Sequence, residues 1–222
     1  MTFAVLAIDK DACKIGCAAA TGNLAVGAWV LRAAPDAGAV ATLGYSVSSL
    51  WGDEALSRLI KGEPTDKIVS ELVGKDTGRD HRQLAVLDKD GRSSAWTGKH
   101  NTDSKGHIAG ENCIVVGNWL SSLAVLQAMK RAFDAGAMSS DRNFGHRLLS
   151  TLDAGAVAGS DSRGTLSAAI RIVAPNKPPL DLRIDHDEKP IAKLKSLHEL
   201  ATNPPYSDWV RDLPTVDEPY RS

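Results

Sequence analysis

Apolar positions along this chain switch between two periods, and the switches divide it into blocks. The run Phe3-Ala4-Val5-Leu6-Ala7-Ile8 is continuously apolar. After the polar turn Asp9-Lys10-Asp11-Ala12, a second run rich in small residues ends in Ala18-Ala19-Ala20, which predicts a hairpin of strands over 3–9 and 14–20. Apolar runs at 25–31 and 39–46, broken at Pro35-Asp36, predict two further strands. The period then lengthens. Leu50, Leu56, Leu59 and Ile60 fit a helix ending at Gly62, and Pro64-Thr65 opens another with Ile68, Val69, Leu72 and Val73 on its apolar face. Strands return at 82–88 and 92–98 around Lys89-Asp90-Gly91, followed by a polar loop over 99–110 and a strand at 111–117. Two more helical stripes follow, Leu123, Leu126, Met129 and Phe133, then Phe144, Leu148, Leu149 and Leu152. Strands at 166–174 and 180–186 and a helix over 190–201 complete the pattern. Residues 202–222, with Pro204, Pro205, Pro214 and Pro219, read as an extended tail.

Hairpin-linked strands separated by helix pairs argue against a doubly wound parallel sheet. They suit an α+β fold: two mostly antiparallel sheets stacked face to face, with helix pairs outside. Strands that barely alternate, such as 3–8, 39–43 and 168–174, fit such a sandwich because both of their faces are buried. One domain over 1–201 is the expectation for a chain of 222 residues.

Lys plus Arg is 26 and Asp plus Glu is 27, a net charge of −1, which argues against nucleic acid or an anionic membrane as the main partner. No apolar run reaches 18 residues, and Asp9, Lys10 and Asp11 interrupt the start before a signal peptide could form. The three cysteines, Cys13, Cys17 and Cys113, read as reduced, buried small hydrophobes. Cys13 and Cys17, on one strand face, would stand roughly 13 Å apart, too far for a disulfide. These features together predict a cytoplasmic protein.

Met1 precedes the small residue Thr2, so aminopeptidase processing is expected to leave Thr2 leading the chain. A terminal Thr carries a hydroxyl and an α-amine on adjacent atoms. The amine titrates at about 7.7–8 in model compounds, so it can accept the proton of its own hydroxyl. This is the self-contained nucleophile and base of N-terminal nucleophile (Ntn) enzymes.

Three later stretches add specificity. They are Arg79-Asp80-His81-Arg82-Gln83-Leu84-Ala85-Val86 continuing to Trp96-Thr97-Gly98; Val116-Gly117-Asn118-Trp119-Leu120; and Asp153-Ala154-Gly155 followed by Gly159-Ser160-Asp161-Ser162-Arg163-Gly164 and Ser167-Ala168-Ala169. With Thr2-Phe3 and Gly38-Ala39-Val40-Ala41-Thr42, this ordered set resembles the bacterial family called domain of unknown function 1028, from about Thr2 to Leu197. The resemblance implies an Ntn-hydrolase-like four-layer αββα sandwich; it implies no established substrate. Leu43 and Leu166 stand where relatives usually carry Gln.

The candidate chemistry follows. Thr2 is the expected nucleophile of an amide or peptide hydrolase acting on a small substrate. Asn118 fits an oxyanion donor or a helix cap. Asp161 and Arg163 fit orientation of the α-amine and capture of a substrate carboxylate, or equally a structural ion pair. His81 fits an acid–base or a packing role, and Thr42 and Ser46 are candidates for the same cleft. His100, His107 and Asp103 match no standard metal spacing, so neither metal nor cofactor is expected. Self-association is compatible with the pattern. The alternative reading is a catalytically inactive binding or accessory protein on the same scaffold.

Overall fold

The computed structural model describes residues 2–102, 104–137, 143–159 and 164–221. In chain order the strands are β1 (Thr2–Asp9), β2 (Lys14–Thr21), β3 (Leu31–Ala34), β4 (Gly38–Gly44), β5 (Arg82–Asp88), β6 (Ser93–Thr97), β7 (Gly106–Gly110), β8 (Cys113–Asn118), β9 (Ser167–Val173) and β10 (Leu180–Ile184). The helices are α1 (Val26–Trp29), α2 (Ser49–Ile60), α3 (Thr65–Lys75), α4 (Ala124–Ala137), α5 (Phe144–Val157), α6 (Pro190–Thr202) and α7 (Tyr206–Arg211).

The strands form a six-stranded sheet, β10-β9-β2-β1-β8-β7, and a four-stranded sheet, β3-β4-β5-β6. Every pairing is antiparallel. Three apolar cores separate four layers. One lies between α4, α5 and α6 and the six-stranded sheet, one between the two sheets, and one between the four-stranded sheet and α2 and α3. This is the αββα sandwich of an α+β fold.

Strand periodicity assigns each side chain to a core. In β1, Phe3, Val5 and Ala7 face the helices, while Ala4, Leu6 and Ile8 face the opposite sheet. Both faces are therefore apolar, which is why the sequence run shows no alternation. Small residues on β2 let its neighbours close in: a Cβ on Gly16 would stand 2.6 Å from both Leu148 and Phe144 of α5. Side-chain caps start the helices where the pattern predicts. Ser48 Oγ accepts from Trp51 N at the head of α2, and Asn143 Oδ1 accepts from His146 N at the head of α5.

Four local differences have physical causes. The stretch predicted as a strand over 25–31 begins as the helical turn α1, with Ala25 left-handed at φ 53°. Tertiary partners hold it there: Ser167 Oγ accepts from Val26 N at 3.1 Å, and Asp185 O accepts from Ala25 N at 3.0 Å. The predicted polar loop contains β7, an edge strand whose half-exposed alternation conceals it from a search for apolar runs. The tail carries the short helix α7, packed on α6. Cys13 lies exposed in the β1–β2 turn, left-handed at φ 50°, and so is neither buried nor on the strand face of Cys17.

Candidate active site at the leading strand

The alternation of β1 extends to its first residue. Thr2 shares the face of Ala4 and Leu6, so its side chain points into the layer between the sheets. The register sets Thr2 opposite Thr21 of β2 on one side and Asn118 of β8 on the other. Both of these also lie on the inter-sheet face of their strands. At this end the apolar filling stops, and Thr2, Thr21, Asn118, Leu43, Trp29 and Tyr45 help to line a cavity of ≈ 270 Å³. None of the described residues lining it carries a charged side chain.

Thr2 Oγ1 lies 3.0 Å from Thr21 Oγ1, a hydroxyl pair sharing one hydrogen bond. Asn118 is 3% exposed, and its Nδ2 donates to Gln83 Oε1 at 3.0 Å. Gln83 reaches across from the four-stranded sheet and is itself fully buried. Its Nε2 donates to Gly117 O at 2.9 Å, Thr97 Oγ1 at 2.9 Å and Gly106 O at 3.2 Å, one of its two hydrogens being shared between two acceptors. With the nitrogen end so committed, the oxygen of Gln83 faces Asn118, and Asn118 must present its NH2 group. An amide nitrogen has two hydrogens, so a second N–H remains on Asn118 beyond the one given to Gln83.

The rim is built from loops. Asn101 is fully buried; its Oδ1 accepts from Tyr45 N at 2.8 Å, and its Nδ2 donates to Arg82 O and Gly98 O. Tyr45 stacks on Trp119 at 6.0 Å, and Trp119 is held left-handed at φ 56°. A large non-glycine residue with this conformation is strained. Ser46, beside Tyr45, receives Arg82 Nη1 on its carbonyl at 2.7 Å and on its Oγ at 3.2 Å. Arg82 is tied in turn to Asp76 at 2.7 Å. Burial alone would raise the Asp76 carboxyl, but the hydrogen bonds from Arg82 and Gly78 N outweigh it and hold its pKa below the usual carboxylate value.

Of the residues singled out from sequence, the fold brings Thr2 and Asn118 side by side, with Ser46 at the rim. His81 is exposed. It sits 6.1 Å from the Tyr45 ring and shares a 3.1 Å contact between its Nε2 and His100 Nδ1. Thr42 follows the Val40 face of β4, the face turned toward α2 and α3, and its Oγ1 donates to Trp29 O at 3.1 Å. It does not line the cavity. Asp161 and Arg163 lie outside the described residues, as does Asp103. Sequence reasoning missed Thr21, one residue beyond the strand predicted over 14–20, and Gln83. Only strand register reveals the first and only sheet stacking the second.

Two stacked antiparallel sheets between helical layers, with Thr2 on a central strand at the open end, define the αββα-sandwich class of α+β folds. Within that class, residues 2–194 match the family of unknown function DUF1028, and the chain belongs to it. A crystal structure of protein SPO2555 from Silicibacter pomeroyi, of the same family, superposes with a TM-score of 0.92 at 41% identity, covering 99% of this chain and 98% of that one. More distant similarities include eukaryotic HslV from Trypanosoma brucei (TM-score 0.47, 11% identity, 78% of this chain and 98% of that one). Thiobacillus denitrificans BPH in complex with epoxomicin is also similar (0.43, 10%, 84% and 100%). No curated protein matches the chain. Among the described residues, no helix is long and apolar enough to cross a membrane.

Proposed function

We propose that this protein is an Ntn hydrolase cleaving an amide or peptide bond in a small substrate, with Thr2 as nucleophile once Met1 is removed. The observation that carries the reading is the placement of Thr2 Oγ1 on the wall of a cavity, 3.0 Å from a second hydroxyl. In the reaction, Oγ1 attacks the carbonyl carbon while the freed α-amine takes the hydroxyl proton. The tetrahedral oxyanion receives the remaining N–H of Asn118. The C–N bond then breaks, the departing amine carries the proton away, and water hydrolyses the Thr2 ester. Thr21 holds the rotamer of Thr2 through the shared hydrogen bond. Asp161 is assigned to orienting the α-amine, Arg163 to a distal carboxylate of the substrate, and His81 and Ser46 to rim contacts.

The cavity's uncharged lining, with Leu43, Trp29 and Tyr45 in it, suits a neutral, largely apolar acyl group. A charged acyl group would lose its hydration against these described residues without gaining a partner among them.

Intact-mass analysis of protein made in a cell, followed by labelling with an acylating probe, tests this reading. A mass lacking Met1 and a single adduct on Thr2 are expected. Retained Met1, or labelling unchanged in Thr2→Ala, would overturn it. One observation favours the rival reading of a non-catalytic binding protein: Asn118 already spends one N–H on Gln83. Under that reading a neutral ligand binds equally well to Thr2→Ala and is recovered uncleaved from the native protein.

A further inference from the structure

A second cluster of chemically competent side chains lies where α5 meets α6. The leading residues of α5 sit at the end of the sandwich away from the Thr2 cavity. Phe144 packs on Gly16, whose partner in the ladder is Ala7, whereas Gly155, near the other end of α5, packs on Phe3. His146 projects from the first turn of α5, and His198 and Glu199 from α6.

We propose that His146, His198 and Glu199 form a binding site for a divalent transition-metal ion, zinc in the first instance, that joins α5 to α6. Each offers one donor atom, and the three donor atoms lie within 4.8 Å of one another. Around a tetrahedral zinc with bonds of about 2.0–2.1 Å, donor atoms stand roughly 3.4 Å apart. Closing onto the ion is therefore a matter of about 1 Å, within reach of the half-exposed Glu199 side chain and the partly exposed His146 ring.

Three further observations point the same way. His146 Nε2 and Glu199 Oε1 are hydrogen-bonded to each other at 2.6 Å, so two of the three donor atoms already meet, and an ion would take the place of the shared proton. His198 is 1% exposed, yet its Nδ1 is buried with no hydrogen-bond partner among the described residues. Such a group is rare in a folded protein and calls for an explanation. Gly145 leaves the space that this ring occupies, since a Cβ there would lie 2.1 Å from His198 Nε2. Two imidazoles with one carboxylate suit zinc and its neighbours rather than calcium or magnesium, which take oxygen donors. The histidines weighed from sequence, His100 and His107, are not part of this cluster.

The test uses untagged, full-length protein stripped with a chelator, dialysed against zinc chloride and analysed for bound metal. One zinc per chain is expected, with Tm raised by roughly 5–10 °C at about one hundred times the dissociation constant. Glu199→Gln and His146→Gln, both partly exposed and so able to fold, should each weaken binding at least ~10-fold. His100→Gln should leave it unchanged. Absence of stoichiometric uptake, uptake indifferent to both α5–α6 substitutions, or loss in His100→Gln instead would overturn the proposal.

Discussion

Gln83→Met removes the amide that bridges the two sheets while nearly conserving volume, so it isolates polar satisfaction from cavity formation. Gln83 is fully buried and makes four hydrogen bonds. Those to Thr97 and Gly106 are only part-buried, and water can replace them. Gly117 O and Asn118 Nδ2 are buried and would lose a partner. Each orphaned buried group costs about 1–3 kcal/mol, and a carbonyl that keeps a second acceptor site sits at the low end, so the expected loss is about 2–4 kcal/mol. For a domain of this size that lowers Tm by roughly 5–15 °C. Urea denaturation at pH 7 reads it directly: the midpoint should fall while the m-value stays constant. A loss under about 0.5 kcal/mol would refute the reasoning, since it would mean that the inter-sheet amide network is already satisfied by solvent. Thr97→Val, which touches only a part-buried member, should cost about 0.5–1.5 kcal/mol.

Four other outcomes can be checked separately. Thr21→Val should slow probe labelling of Thr2 about three- to tenfold, the worth of one neutral hydrogen bond, with the far-ultraviolet spectrum unchanged; an unaltered rate would remove Thr21 from the site. In native protein a thiol reagent should modify one cysteine quickly, the exposed Cys13. Burial pushes Cys17 up to about 12 and Cys113 up to about 11, so both should react only in denaturant, and two fast thiols would contradict this. Asp76→Asn should destabilise the fold by about 1–3 kcal/mol at pH 7 by breaking the Arg82 pair. Because the folded pKa of Asp76 is depressed, its contribution is complete above its ordinary value of 3.8 and fades as pH falls through the lower folded value; wild type and variant should therefore converge in acid unfolding. Gly16→Ala should cost about 1–3 kcal/mol by forcing α5 off β2, measured as a shift in denaturation midpoint.

Much of the architecture was readable in the order of apolar patterns. β1, β2, β5 and α2 through α6 fall close to their predicted places because each carries a full-length period and a punctuating turn or cap. The misreadings have a common origin. Residues 25–30 combine β-branched and aromatic side chains that fit a strand, but Ser167 and Asp185, some 140 to 160 positions away, bind their backbone and impose a helical turn. β7 is too polar to be seen as a strand until β8 offers it an edge.

The candidate site divides the same way. Thr2 can be chosen from sequence because the chemistry proposed for it requires only a threonine following Met1. Asn118 can be chosen because it ends an apolar run. Nothing local selects Thr21 or Gln83, or rejects Thr42. Thr42 and Leu43 are adjacent, yet the pleat sends one toward the helices and the other into the cavity. The amino-acid order, through periods of two and of 3.6, thus determined the layers of this protein and the candidate hydroxyl of Thr2. Which side chains meet that hydroxyl was decided by strand register and sheet stacking, because those contacts join residues that no periodicity within a single element can relate.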